Sequence, residues 1–158
     1  ILRALRDYKG EPHRVQLMLS SSGIDYVDDS KGTNVGATAA ALKGFGRGKV
    51  VIILGGDGKG QDFAPLKEAI AEHAKAAVFI GRDAAQIEKA VDTPELKKAH
   101  AKNMEEAVRL CRGFAQAGDT ILLSPACASW DMFKDYADRS RQFVVAAEEI
   151  AREEGQLC

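Results

Sequence analysis

Hydrophobic and polar positions follow two rhythms along this chain of 158 residues. Between residues 13 and 27, apolar side chains recur at every second position on both sides of a polar Ser-Ser-Ser-Gly segment, which indicates a β-hairpin. Continuous apolar runs at 50–54, 76–80 and 120–123 are typical of strands buried on both faces. Stretches of helical periodicity separate these runs. The alternation predicts an α/β fold, a Rossmann-like and mostly parallel sheet flanked by helices, with an N-terminal β-hairpin.

Helical spacing of the apolar residues predicts where the helices lie. Helices are expected at about 35–45 and 63–73, in the stretch that ends near Val91, and from Asn103 to near Gly118. Two further helices are predicted to close the chain, and they span Asp131 to Ala137 and Arg139 to about Glu153. The Lys-rich segment from Thr93 to Lys102 is expected to be a polar connection.

The beginning of the chain differs from the rest. It starts on Ile1, and Leu2, Leu5 and Tyr8 have the spacing of a helix. Residues 10–12, Gly-Glu-Pro, form a breaker cluster. We therefore expect residues 1–12 to be the last helix of a preceding domain with a linker, and residues 13–158 to form the domain described by the pattern.

Composition excludes several classes of function. A net charge of -1, a pI near 6.4 and 6% aromatic residues predict no nucleic-acid binding. No apolar run approaches the ~20 residues that span a membrane. Three cysteines without CxxC spacing fit a reducing cytoplasm, and three histidines far apart in sequence predict no metal site.

Three polar turns follow predicted strands, at 28–34, 55–60 and 124–129. Ligands of open α/β sheets bind beyond the carboxyl ends of the strands, so the turns are candidates for one site. The first turn ends where a helix begins, and the N–H groups of that helix together with Lys31 would favour an anion. Helix capping alone would also explain its Asp, Ser, Thr and Asn residues.

The individual turn residues can be interpreted one at a time. The Gly-rich turn around Lys59 lacks the spacing of a P-loop, which leaves a flexible turn with one ammonium group. Ser129 is expected to cap a following helix, or to bind a carboxylate there. Cys127 is expected to be a buried, inert thiol. Asp28 and Asp29 would point to opposite faces of a strand, so only one of them should belong to a site.

Four segments together resemble the C-terminal region of the Mur ligases. They are His13-Arg14, Asp29-Ser30-Lys31-Gly32-Thr33-Asn34, Leu54-Gly55-Gly56-Asp57-Gly58-Lys59 and Leu123-Ser124-Pro125-Ala126-Cys127-Ala128-Ser129. The likeness covers nearly the whole chain. Where sister ligases carry an Asp-(Tyr or Gly)-Ala-His type of sequence, this chain has Asp-Ser-Lys, which is similar to the family members that add D-glutamate.

This resemblance implies an ATP-dependent, amide-bond-forming ligase of peptidoglycan precursor synthesis. ATP would phosphorylate the carboxylate of UDP-N-acetylmuramoyl-L-alanine, and the amine of D-glutamate would attack the acyl phosphate. The resemblance assigns Arg14, Asp29 and Lys31 to nucleotide and phosphate binding, with Lys31 also catalytic. The residues it assigns to D-glutamate are Thr33, Lys59, Ser129, Trp130 and Tyr136.

The same resemblance implies the setting of this domain. It would work with its own N-terminal and central domains, and the central (ATPase) domain would supply the Mg²⁺ ligands. The expected protein is a monomer of the bacterial cytoplasm, with no nucleic-acid or membrane partner, and residues 1–158 alone would not catalyse. Two alternatives stay open, a stand-alone nucleotide-binding α/β regulatory module and a purely structural domain.

Overall fold

The computed structural model describes residues 14–156, which form one six-stranded sheet with helices on both faces. The elements follow one another as β1 Gln16–Ser21, β2 Ile24–Asp28, α1 Val35–Leu42, β3 Val50–Gly55, α2 Leu66–His73, β4 Ala74–Ile80, α3 Ala84–Val91, β5 Lys97–His100, α4 Met104–Phe114, β6 Thr120–Leu123 and α5 Tyr136–Glu153.

The strand order is β1-β2-β6-β3-β4-β5. β1 pairs antiparallel with β2, and every other pairing is parallel. Ser22 and Gly23, both with positive φ, form the tight turn of the hairpin. The predicted α/β class, the mostly parallel sheet and the N-terminal hairpin are therefore confirmed.

Alternate residues of the central strands supply two separate cores. In β3, Val50, Ile52 and Leu54 pack under α1, α2 and α3, while Val51 and Ile53 pack under α4 and α5. All five are fully buried. Each such side chain contributes about 1.5–3 kcal/mol of hydrophobic stabilisation. Because both faces of these strands are buried, every position is apolar and the sequence shows an unbroken apolar run.

Two local predictions were wrong. Residues 97–100 form the edge strand β5 instead of an irregular connection, because backbone pairing with β4 compensates for an exposed, Lys-rich sequence. No helix spans Asp131 to Ala137. The amides of Met132 and Phe133 both donate to the Ser129 carbonyl in a turn, and α5 begins only at Tyr136.

The predicted helix end at residues 1–9 and the linker at 10–12 lie outside the described residues. Within 14–156, no helix is long and apolar enough to cross a membrane.

Candidate functional site

The carboxyl ends of β2, β6 and β3 lie side by side, and this brings together the three polar turns. We name them the lysine loop (residues 29–34), the serine loop (124–129) and the glycine loop (55–60). The Ala126 amide donates to the Gly32 carbonyl at 2.8 Å, which joins the serine loop to the lysine loop. Asp57 and Ala128 exchange two backbone hydrogen bonds of 3.1 and 2.9 Å, which joins the serine loop to the glycine loop.

The residues predicted to bind nucleotide and phosphate share one cavity. Arg14, Asp29 and Lys31 line a space of about 230 Å³ between the lysine loop and α1. Two cationic side chains beside a carboxyl group suit an anion that also carries hydroxyl groups. The structure thus gathers these three residues, which are separated in sequence by up to 17 positions (31 − 14).

Asp29 is held in a buried network at the edge of this cavity. Its side chain accepts hydrogen bonds from the Ser124 hydroxyl at 2.7 Å and the Val15 amide at 3.3 Å. Burial raises the pKa of this carboxyl to about 6, although both hydrogen bonds act in the opposite direction. The packing is close, since a Cβ atom at Gly32 would lie 2.7 Å from the Asp29 carboxylate.

Asp28 serves the opposite face of the sheet, as the strand geometry predicted. Its carboxylate accepts hydrogen bonds from the Ser30 amide at 2.9 Å, from the Ser30 hydroxyl and from the Ser140 hydroxyl on α5. Asp28 is fully buried. It therefore holds the lysine loop from the side of α5 and does not share the cavity of Asp29.

An aromatic ring flanks the predicted catalytic lysine. The Lys31 ammonium lies 5.6 Å from the ring centroid of Tyr136, within the range of a cation–π interaction. Thr33 is half-buried in the same loop, and its amide donates to the Lys31 carbonyl at 2.8 Å. The structure places Tyr136, assigned to D-glutamate, directly beside a residue assigned to phosphate.

Lys59 lies on the glycine loop, in an exposed turn with φ of +55°. Its amide donates to the Asp57 carboxylate at 3.0 Å, and this hydrogen bond is the main cause that lowers the pKa of Asp57. Arg82, from the turn after β4, forms an ion pair with the same carboxylate at 2.5 Å. The Asp57 carboxylate is therefore held by the backbone amide of Lys59 and by the guanidinium of Arg82.

Ser129 does not cap a helix, contrary to the prediction. Its side chain is buried and its carbonyl is the acceptor of the turn at 129–133, whereas the N-cap of α5 is Asp135. A carboxylate at Ser129 could use the hydroxyl, but not a row of free N–H groups at a helix end. Trp130, the next residue, has 72% of its surface exposed and borders the same loop.

Cys127 is the inert thiol that the sequence predicted. It is fully buried, and burial raises its pKa to about 12. The reactive thiolate is therefore scarcely populated at neutral pH.

Sequence reasoning missed Arg139, which lies on α5 and contacts both the lysine loop and the serine loop. Its side chain is fully buried on α5 and donates to the carbonyl groups of Ser30 and Cys127. A signal was present, since Arg139 falls in the helical stripe that continues with Phe143, Ala147 and Ile150. An arginine at such a position must either be buried with these apolar side chains or interrupt the apolar face of the helix.

Metal binding finds little support in this part of the chain. Among residues 14–156, no group of three His, Cys, Asp or Glu side chains is placed to hold a metal ion. The described residues therefore do not fit a Mg²⁺ site of their own.

Comparison with protein families gives a match over most of the chain. The family model described as "Mur ligase, glutamate ligase domain" matches residues 13–127. The UDP-N-acetylmuramoylalanine--D-glutamate ligase of Paraburkholderia xenovorans (strain LB400) is 54% identical over 99% of this chain and 31% of its own length. The protein of the same name from Bordetella avium (strain 197N) is 52% identical, again over 99% of this chain and 31% of its own length. The chain thus spans about a third of these relatives.

Solved structures agree on the fold. MurF ligase from Thermotoga maritima, in complex with ADP, superposes with a TM-score of 0.62 at 16% identity over 98% of this chain and 34% of that one. UDP-N-acetylmuramate-alanine ligase MurC, also from Thermotoga maritima, gives a TM-score of 0.61 at 18% identity over 94% and 33%. At such identities, the likeness establishes the arrangement of strands and helices.

Proposed function

Since the chain belongs to the Mur ligase family through its glutamate ligase domain, we propose that it is the C-terminal domain of an ATP-dependent ligase that adds D-glutamate to UDP-N-acetylmuramoyl-L-alanine. Residues 13–158 would form the amino-acid-binding domain, and residues 1–12 the end of the central domain with its linker. The observation that carries the proposal is the 54% identity to a D-glutamate ligase over 99% of the chain.

The cavity of Arg14, Asp29 and Lys31 supports the nucleotide part of this proposal. Arg14 and Lys31 would pair with phosphate oxygens, and the Asp29 carboxylate would accept hydrogen bonds from ribose hydroxyls. Lys31 would also stabilise the negative charge of the acyl phosphate, because its ammonium group belongs to a residue that lines the cavity proposed for the phosphates.

The D-glutamate part of the site would use the three loops together. Lys59 would pair with a carboxylate, while the hydroxyls of Thr33 and Ser129 would donate hydrogen bonds to it. Tyr136 and Trp130 would form the wall of the pocket. The cation–π contact between Lys31 and Tyr136 supports the close approach of the two substrates that amide formation requires.

The remaining components would come from outside this domain. Mg²⁺ would neutralise phosphate charge, with its ligands in the central domain, because residues 14–156 supply no cluster for it. We propose a monomer of the bacterial cytoplasm that acts in cell-wall synthesis, in which the N-terminal and central domains close on the loops described above. The 158-residue chain alone is expected to lack ligase activity.

A chimera tests the function. The segment of the Paraburkholderia xenovorans ligase that matches this chain would be replaced by the chain, and ADP release would be measured with UDP-N-acetylmuramoyl-L-alanine and D-glutamate. Turnover that requires D-glutamate, and is absent with L-glutamate or D-alanine, is the expected result.

Three outcomes would contradict the proposal or a part of it. A folded chimera that accepts none of these amino acids would refute the D-glutamate assignment. A folded chimera in which the Lys59→Ala variant keeps the wild-type KM for D-glutamate would refute the assignment of Lys59. ATP binding by the 158-residue chain alone, together with an inactive chimera, would favour the stand-alone nucleotide-binding regulatory module instead.

A further inference from the structure

Arg139 occupies a position where a charged side chain is costly. It lies in the apolar stripe of α5 and none of its surface is exposed. Burial lowers its pKa to about 10, so the guanidinium remains charged at neutral pH. A well-packed apolar residue of similar volume would often stabilise a protein as much as a buried charge does, so stability alone does not account for an arginine here.

The contacts of Arg139 join two loops that are far apart in sequence. Nη2 donates to the Ser30 carbonyl at 2.7 Å, and Nη1 donates to the Cys127 carbonyl at 3.0 Å. Nε has no hydrogen-bond partner among the described residues. The planar guanidinium thus uses two rigidly spaced nitrogens on two backbone carbonyls and leaves its third nitrogen unpaired.

Both acceptors lie within two positions of residues of the proposed site. Ser30 precedes Lys31, and Cys127 lies two positions before Ser129. Only one of the other hydrogen bonds described above joins these two loops through their backbones, namely the bond from Ala126 to Gly32. The lysine loop and the serine loop are therefore joined by Arg139, by this amide and by the hydrogen bond from the Ser124 hydroxyl to the Asp29 carboxylate.

We propose that Arg139 is a positioning residue that holds Lys31, at the phosphate end of the site, in register with Ser129, at the amino-acid end. The inference rests on the proposed function of the two loops. It assigns no contact with substrate to Arg139, whose side chain is enclosed by the protein. Replacing Arg139 should disturb the alignment of the bound groups, and should therefore lower kcat more than it changes either KM.

Arg139→Lys in the chimera is the main test, since lysine keeps the charge but lacks two fixed, separated nitrogens. We expect kcat, corrected for the folded fraction, to fall about 10- to 100-fold, because small misplacements of reacting groups have effects of this size. The KM values for ATP and D-glutamate should change less than about threefold, since Arg139 touches neither ligand. Arg141→Lys is the matched control, because Arg141 lies on the same helix with an exposed side chain.

A second readout does not depend on catalysis. Hydrogen exchange of peptides covering residues 29–34 and 124–129 should be about tenfold faster in Arg139→Lys and unchanged in Arg141→Lys, relative to peptides from β3. If Arg139→Lys fails to fold, the same two measurements on Arg139→Met decide the matter.

Each outcome has a separate meaning. An active wild-type chimera whose folded Arg139 variants keep wild-type kcat and wild-type loop exchange would overturn the positioning role. A variant that loses only thermal stability, with kcat per folded molecule unchanged, would show a purely structural arginine and would overturn it as well. An inactive wild-type chimera refutes the proposed ligase function, and the exchange measurement then still tests whether Arg139 holds the loops together.

Discussion

Replacing Asp29 by asparagine should remove a pH dependence of stability that this carboxyl group imposes, while it weakens nucleotide binding. Asp29 is 4% exposed, and burial raises its pKa from 3.8 to about 6. The native state therefore binds the proton more tightly than the unfolded state does. Because protons are bound preferentially by the native state between these two pKa values, stability must fall as the pH rises through this range.

The magnitude follows from the two pKa values. A rise from 3.8 to about 6, at about 1.4 kcal/mol for each pH unit, corresponds to about 3 kcal/mol. This stabilisation is present below about pH 4 and is lost above about pH 6. Asparagine has nearly the same shape and does not titrate, so its contribution should not depend on pH. Its single carbonyl oxygen can accept the hydrogen bond of Ser124 or that of the Val15 amide, but not both.

Urea unfolding of wild type and Asp29→Asn near pH 4 and near pH 7.5 provides the assay. The difference in free energy of unfolding, variant minus wild type, should increase by about 2–3 kcal/mol between these two conditions. Glu95→Gln, which changes an exposed carboxylate to an amide, is the control for the chemistry of the substitution. An equal difference at both pH values would show that the burial of Asp29 does not control its ionisation, and would refute the reasoning.

Three further substitutions test the packing and the site. Gly55→Ala should cost more than about 4 kcal/mol of stability or prevent folding, because a Cβ atom there would lie 1.8 Å from the Ile80 carbonyl oxygen; soluble expression and a normal melting temperature would contradict this. Gly113→Ala, in the exposed part of α4 with nothing within 4 Å, should stabilise by about 0.5–1 kcal/mol, measured by urea unfolding, and a loss of stability would contradict it. Tyr136→Leu in the chimera removes the contact with Lys31, whose interaction free energy is about 0.5–1 kcal/mol, and should raise the KM for D-glutamate. An unchanged KM would contradict the assignment of Tyr136 to the site.

Local patterns in the sequence determined most of the elements. The hairpin, the buried strands β3, β4 and β6, and the helix with the Asn103 cap follow from periodicity and capping residues that lie close together in the chain. In that helix, the Asn103 side chain accepts from the Glu106 amide at 2.8 Å, as the spacing predicted. These features depend on neighbouring residues, and neighbouring residues are what a sequence displays directly.

Other elements depended on contacts between distant segments. β5 forms because β4 offers a free edge, although its own sequence is polar and exposed. The expected helix after Ser129 is replaced by a turn, in which the Asp131 carboxylate accepts from the Arg82 amide at 2.8 Å. Asp131 therefore contacts the turn after β4 instead of the first turn of a helix, and residues 131–134 have no local pattern that would indicate this.

The candidate site divides in the same way. The sequence alone placed Lys31, Lys59 and Ser129 on turns at the carboxyl ends of strands, because the residue types of these turns are local. Only the tertiary structure decided that Asp29 is buried with a raised pKa and that Arg139 joins two loops from below. The physical reason is the strand order, in which β6 lies between β2 and β3. Segments about 95 residues apart in sequence thereby become neighbours. Their hydrogen bonds and their burial are not encoded in any local pattern of the sequence.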